Sequence, residues 1–162
     1  TGQTVDLIPY AKEHVPLMNK WLQDPEMQQL VATEAITLEA DYVFQAEVEQ
    51  NGDIIGDIDL YFFPEGEAEI NIMIASPEWR RHGYASEALT LAMQYAIQRT
   101  KTRKFIAKIG QKNEASLRFF ERHGFQLTQV DPNVFDEYVY ELNAGMVPLA
   151  DLDIQSPFHI TV

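Results

Sequence analysis

Cysteine is absent from the 162 residues of this chain. Its absence excludes disulfides, thiolate zinc sites and a cysteine nucleophile, and it favours an intracellular, cytoplasmic setting. Long apolar runs are absent as well. No stretch approaches the ~20 residues needed to cross a bilayer, and no signal-like charged and apolar segment follows Thr1, so no membrane partner is expected. His14, His82, His123 and His159 lack metal-ligand spacing, and no metal is expected either. Positive charge is scarce: 12 Lys and Arg stand against 25 Asp and Glu, for a formal net charge of −13. Such a surface repels phosphate backbones and attracts cations, so amines and basic peptide segments are better partners than nucleic acid.

The few cations are unevenly placed. Ten of the twelve, but only three of the twenty-five acids, fall between positions 80 and 122. That window opens with Arg80-Arg81-His82-Gly83-Tyr84-Ala85, after an apolar strand-like run and before an amphipathic helix. A helix start presents amides that lack partners, and a glycine removes the side chain that would obstruct an approaching anion. Amides from Arg81 to Ser86 can therefore form a nest for a pyrophosphate, with Arg80 and Arg81 adding charge. An Arg-x-x-Gly-x-Ala turn is weakly specific by itself, and the ordered strand, turn and helix are what make it a candidate anion site. The phosphate-loop pattern of ATP-binding proteins, with its Gly-Lys pair, is not present.

At this length and 46% hydrophobic content, one domain over 1–142 is expected, followed by a proline-punctuated tail over 143–162, as a monomer or weak dimer. Val5 to Pro9 reads as a first strand. Lys12 to Gln23 places Val15, Met18, Trp21 and Leu22 at helical spacing, and Asp24-Pro25 ends that helix. A short helix over Glu26 to Val31 follows, then another capped by Thr37 and presenting Leu38, Tyr42 and Gln45. Asn51-Gly52 predicts a hairpin turn between a brief strand near Ala46 to Gln50 and a longer one, Ile54 to Phe63. The brevity of the first suggests a deleted loop or absent residues before it.

In the longer strand Ile58, Leu60 and Phe62 alternate with Asp57, Asp59 and Tyr61. In Glu67 to Ala75, Ile70, Ile72 and Ile74 alternate with Glu69, Asn71 and Met73. Ala85 to Arg99 presents Ala88, Leu89, Ala92, Met93 and Ala96 to a core. Lys104 to Ile109 is the next strand, Asn113 caps a helix closed by His123-Gly124, and Phe125 to Val130 and Phe135 to Leu142 are the last strands. The order predicts an α/β (α+β) domain on a mixed sheet.

Asn113-Glu114-Ala115-Ser116-Leu117-Arg118-Phe119-Phe120-Glu121-Arg122-His123-Gly124-Phe125 is explained locally as a capped amphipathic helix with Phe120 and Phe125 in the core. Together with the Arg80, Gly83, Ala85 turn, it resembles in order and spacing the two signature segments of the GNAT superfamily of N-acetyltransferases. More narrowly, Leu7-Ile8-Pro9-Tyr10, Glu13-His14-Val15-Pro16, Thr37-Leu38-Glu39, Gly56-Asp57-Ile58-Asp59-Leu60, Ile72-Met73-Ile74-Ala75 and Lys108-Ile109-Gly110-Gln111 with Asn113-Glu114 look like the N-acetyltransferase 9-like branch. The resemblance covers residues 5 to 142. It implies a mostly antiparallel central sheet with helices on both faces, a V-shaped splay between strands 67–75 and 104–109, and acetyl-CoA as cosubstrate.

Carried over, the resemblance gives the CoA pyrophosphate to Arg80, Arg81, His82, Gly83, Tyr84, Ala85 and Ser86. The pantetheine arm would lie along Met73, Ile74 and Ala75, with amides near Ile74 and Ala75 polarising the thioester carbonyl. Asn113, Ser116 and Phe120 would form the second wall. Acetyl would pass directly to an amine of a protein or peptide, N-terminal or lysine. A chain-terminal amine, with a pKa of about 7.7 to 8.0, becomes neutral more readily than a lysine near ~10.4, and a general base is expected beside either. Glu69 is the first choice, on the strand face opposite the inward isoleucines. Asp57 and Asp59 are alternatives that can also bind a cationic substrate, with Asp59 and Glu67 read first as solvent-facing strand residues. Members of the family commonly carry tyrosine where this chain has Phe120, which cannot protonate a departing thiolate. A catalytically weak CoA-binding protein working through protein partners is therefore the second reading.

Overall fold

Alternation of apolar and polar residues in the middle of the chain produces two long neighbouring strands, and everything else is arranged on them. A computed structural model of the protein describes residues 5–9, 11, 14–22, 42–50, 53–75, 77–129 and 131–149. Its strands are Asp6–Pro9 (β1), Tyr42–Gln50 (β2), Asp53–Phe63 (β3), Glu67–Ile74 (β4), Lys104–Gly110 (β5), Gln126–Gln129 (β6) and Glu137–Asn143 (β7). Helices are Val15–Leu22 (α1), Tyr84–Thr100 (α2) and Glu114–Arg122 (α3). The strands form one sheet in the order β1-β2-β3-β4-β5-β7-β6. Neighbours are antiparallel except β4 and β5, whose parallel pairing requires the crossover that α2 supplies.

Strand registers sort the side chains into two faces. On one, Ile58, Leu60 and Phe62 of β3, Ala68 and Ile70 of β4, and Phe105, Ala107 and Ile109 of β5 are buried in the main core. Helix α2 lies on this face. Its Ala88, Ala92 and Ala96 have no exposed surface, and their small size lets the helix backbone approach the sheet closely. The other face carries Asp57, Asp59 and Tyr61 in register with Met73, Asn71 and Glu69, and continues into Lys104 and Lys108 of β5. There, Trp21 of α1 packs with Met73 and Ala75, joined by Leu17 and Ile54. Helices thus cover both faces, as expected. No helix among the described residues is long and apolar enough to cross a membrane.

Three expectations change. Tyr42 and Gln45, expected on a helix capped by Thr37, belong to β2, which runs nine residues instead of five and pairs from Tyr42 opposite Phe62 to Gln50 opposite Asp53. Pairing along eleven-residue β3 outweighs the local helical spacing, and no missing loop is needed to explain a short strand. Phe125 turns into the core instead of starting β6, whose four residues are all exposed. Of the residues expected as a tail, Asn143 to Pro148 stay on the body: Asn143 ends β7, Ala144–Met146 forms a 3-10 turn, Val147 is buried, and the Gln94 side-chain amide donates to the Pro148 carbonyl at 2.6 Å, while residues 150–162 lie outside the described residues. The expected helix over 26–31, Thr37 itself and the Asn51-Gly52 turn lie outside the described residues.

Candidate active site

β4 and β5 pair only from Glu67 to Glu69 against Lys104 to Ile106, while both strands run on, to Ile74 and Gly110. The sheet therefore opens in a V beyond Glu69. The Ala75 amide donates to the Ile55 carbonyl of β3 at 2.9 Å, so the polarising role expected for it is taken up within the sheet. Successive amides of a strand point to opposite edges. The same alternation turns the amides of Ile72 and Ile74 toward the β5 edge, where the two strands have parted. Met73, expected along the pantetheine, points its side chain to the other face, under Trp21.

The chain leaves β4 through a 3-10 turn, Pro77–Trp79, and Arg80 fastens its end. Its Nε donates to the Ile74 carbonyl at 3.0 Å and its Nη2 to the Ala75 carbonyl at 2.9 Å. This guanidinium holds the shape of the turn in addition to charging it. Arg81 and Gly83 both have positive φ, 66° and 92°, and Gly83 is the cap of α2. A Cβ built at Gly83 would meet nothing within 4 Å, so the glycine borders open space. The start of a helix leaves its first amides without acceptors in the turn before it, and Ala85 and Ser86 occupy those positions in α2. An anionic group fits this cradle. His82 stacks on the buried Tyr84 ring at 5.7 Å, which in turn leans on Trp79. The Tyr84 side chain therefore serves the core.

On the second wall Asn113 caps α3, its Oδ1 accepting from the Ser116 amide at 3.1 Å. Phe120 is 4% exposed and meets Phe125 edge-on at 4.9 Å. Gly124, at φ 87°, makes the turn that brings Phe125 back onto the helix. The Tyr140 hydroxyl donates to Glu121 at 2.9 Å, and burial, then that carboxylate, push its phenol up. Asn113 and Ser116 thus meet in the helix cap, and Phe120 lies in the core one turn further on.

The acids on the α1 face separate into two kinds. Lys104 joins Glu67 at 2.7 Å and Glu141 at 3.4 Å, bridging β4, β5 and β7 at the closed end of the V, and the Glu67 contact raises its pKa. Lys108 reaches back to Glu69 at 2.9 Å, across the point where the strands part. Asp57 Oδ1 is buried. Asp59 is half-buried, accepts from the Tyr61 hydroxyl at 3.4 Å, and burial pushes its carboxyl up to about 6, with Tyr61 working against that shift. Tyr61 is itself raised, by burial first and then by Asp59, Glu69 and Asp57. Reading Asp59 and Glu67 as solvent-facing is therefore corrected: one is half-buried and the other is an ion-pair partner. Lys108 went unnoticed because nothing local in Lys104 to Ile109 tells which carboxylate a lysine will meet.

The sequence profile of the Acetyltransferase (GNAT) domain matches residues 5–126. The chain is 32% identical to the Alpha/beta-tubulin-N-acetyltransferase 9 of Mus musculus, spanning 87% of this chain and 69% of that protein. It is 33% identical to an N-acetyltransferase 9-like protein of Dictyostelium discoideum, spanning 89% and 84%. Among solved structures, an aminoglycoside acetyltransferase in complex with coenzyme A aligns with a TM-score of 0.74 at 13% identity, over 88% of this chain and 96% of that one. The acetyltransferase from Agrobacterium tumefaciens aligns at 0.71 and 18% identity, over 88% and 92%. At these identities the structural likeness concerns the fold.

Proposed function

The chain belongs to the GNAT acetyltransferase family, and from that premise we propose that it moves acetyl from acetyl-CoA directly onto an amine of a protein. Tubulin, named for the mouse and human relatives, is the first acceptor to try. The observation that carries this reading is the V between β4 and β5 with an open, glycine-capped helix start at its mouth. In this reading the pyrophosphate rests on the amides of Gly83 to Ser86, with Arg81 and His82 at its rim and Arg80 holding the turn. The pantetheine arm runs along Met73 to Ala75, and Asn113, Ser116 and Phe120 close the second wall.

A neutral amine attacks the thioester carbonyl carbon, the C–S bond breaks, and the CoA thiolate leaves. Amides of Ile72 and Ile74, turned toward the opening, support the carbonyl oxygen as charge develops on it. Holding both reactants in one cleft supplies much of the rate, since orientation converts a bimolecular encounter into a local one. The acid-rich α1 face attracts the cationic acceptor. A cytoplasmic, monomeric or weakly dimeric protein, without nucleic-acid or membrane partners, completes the reading, supported by the absence of cysteine and the net charge of −13.

Phe120 keeps a second reading in play, because a buried ring without a hydroxyl offers the thiolate no proton. In that reading the protein binds CoA and acts through protein contacts. Steady-state CoA release with a panel of tubulin amino-terminal and lysine-bearing peptides separates the two. Turnover on one class of peptide is expected. Saturable acetyl-CoA binding with no turnover on any acceptor would favour the binding protein.

A further inference from the structure

We propose that Asp59, and not Glu69, takes the proton from the acceptor amine, with Glu69 held as the counter-ion of Lys108. This assignment rests on the acetyltransferase reading above. Glu69 was the natural first choice because it stands where β4 begins to part from β5. Its carboxylate, however, lies 2.9 Å from the Lys108 ammonium. That carboxylate is already occupied by a cation of the chain itself, which ties β4 to β5 at the throat of the V and leaves it less open to an incoming ammonium.

Asp59 differs in each respect. It lies on the neighbouring strand, in register with exposed Asn71, two residues beyond Glu69 in the direction in which the V widens. Among the described residues its carboxylate has one hydrogen-bond partner, the Tyr61 hydroxyl at 3.4 Å, and no cation. Among the described residues, the charged and titratable groups on its face of the sheet are Asp57 and Tyr61 on β3, Glu69 on β4 and, behind Glu69, Lys108 on β5. On β2, Glu47 stands in register with Asp57, and on α1 the charged residue is exposed Lys20. Half-burial without a counter-ion makes protonation easy near neutral pH, and the carboxyl titrates near the range where a general base is most effective. The acceptor ammonium gives one proton to the Asp59 carboxylate, and the freed lone pair attacks the thioester carbon. The C–S bond breaks, and the second amine proton leaves with the CoA thiolate. The products are the amide, CoA thiol and a proton that Asp59 returns to water.

The test is the pH dependence of kcat for peptide acetylation by the full chain at saturating acetyl-CoA. Wild-type activity is expected to fall as pH drops through about 6. Asp59→Asn is expected to lose about a hundredfold or more in kcat and to lose that acidic limb, with acetyl-CoA affinity unchanged. Asp59→Glu should keep the limb. Tyr61→Phe should shift it to higher pH, because the hydroxyl that favours the charged carboxylate is gone. Glu69→Gln should retain the limb. An unaltered acidic limb in Asp59→Asn, or its loss in Glu69→Gln, overturns the assignment alone. A wild-type protein that binds acetyl-CoA but acetylates no peptide overturns the transferase reading and the assignment with it.

Discussion

Asp59 holds a charge that the folded chain disfavours. Its folded value is about 6 against an ordinary 3.8, because burial penalises the carboxylate. The folded state therefore binds the proton more tightly than the unfolded state. On this group's account, stability is greatest below the unfolded value and declines as pH rises through the folded one. At pH 7 the difference costs about 3 kcal/mol. Asp59→Asn is expected to raise stability at pH 7 by up to about that amount, with the gain shrinking between pH 6 and 4. Urea unfolding at three pH values checks it. A mutation that stabilises the fold while removing activity is the signature of a residue kept for chemistry. Gly83 makes a different contribution. Its φ of 92° strains any L side chain, and the space above it is open. Gly83→Val is expected to raise the acetyl-CoA dissociation constant about tenfold or more, since a helix start reshaped by 1–2 kcal/mol of strain no longer presents its amides to one anion. Calorimetric titration measures this, and unchanged affinity would remove the turn from the site.

At the scale of elements, β3 and β4 approach so closely that a Cβ on Gly56 would lie 2.0 Å from the Met73 carbonyl oxygen. Gly56→Ala must push the strands apart or break their register. A loss of about 2 kcal/mol or more is expected, together with weaker acetyl-CoA binding at the proposed site, because the shift moves the Ile74 amide that faces the opening. Chemical denaturation and titration on the same variant report both effects. The alternation of Ile58, Leu60 and Phe62 with Asp57, Asp59 and Tyr61 was legible as a two-sided strand. Which polar side was exposed, half-buried or ion-paired was not legible, since that depends on α1 and β5, far away in sequence. Tyr42 to Gln45 show the opposite failure. Their spacing suits a helix, yet the edge of β3 recruits them into β2, because backbone pairing along a formed strand outweighs weak local preference.

At the scale of the whole molecule, Asn143 to Pro148 are held on the body. Val147 is buried and the Gln94 amide depends on the Pro148 carbonyl, so a chain ending at Asn143 loses an apolar contact and strands a buried donor. Such a truncation is expected to cost about 2–4 kcal/mol, read as a lowered melting temperature, even though no residue of the V is removed. Charge is likewise distributed at this scale. Of the cations between positions 80 and 122, Arg80 and Arg81 stand at the turn, while Arg103 and Lys104 meet the Glu65 carbonyl, Glu67 and Glu141 at the closed end of the V.

The sequence by itself determined the strand, turn and helix around Gly83, the capped helix from Asn113 to Gly124, and the family they mark. Each of these rests on local chemistry: a positive-φ glycine, a side chain that caps its own helix, an apolar stripe at helical period. Only the tertiary structure decided that β4 and β5 part after Glu69, that Lys108 reaches Glu69, and that Asp59 is left half-buried with no cation beside it among the described residues. Those outcomes depend on which distant strands become neighbours and how much water they exclude. Desolvation and ion pairing are properties of the assembled sheet, and no stretch of chain contains them alone.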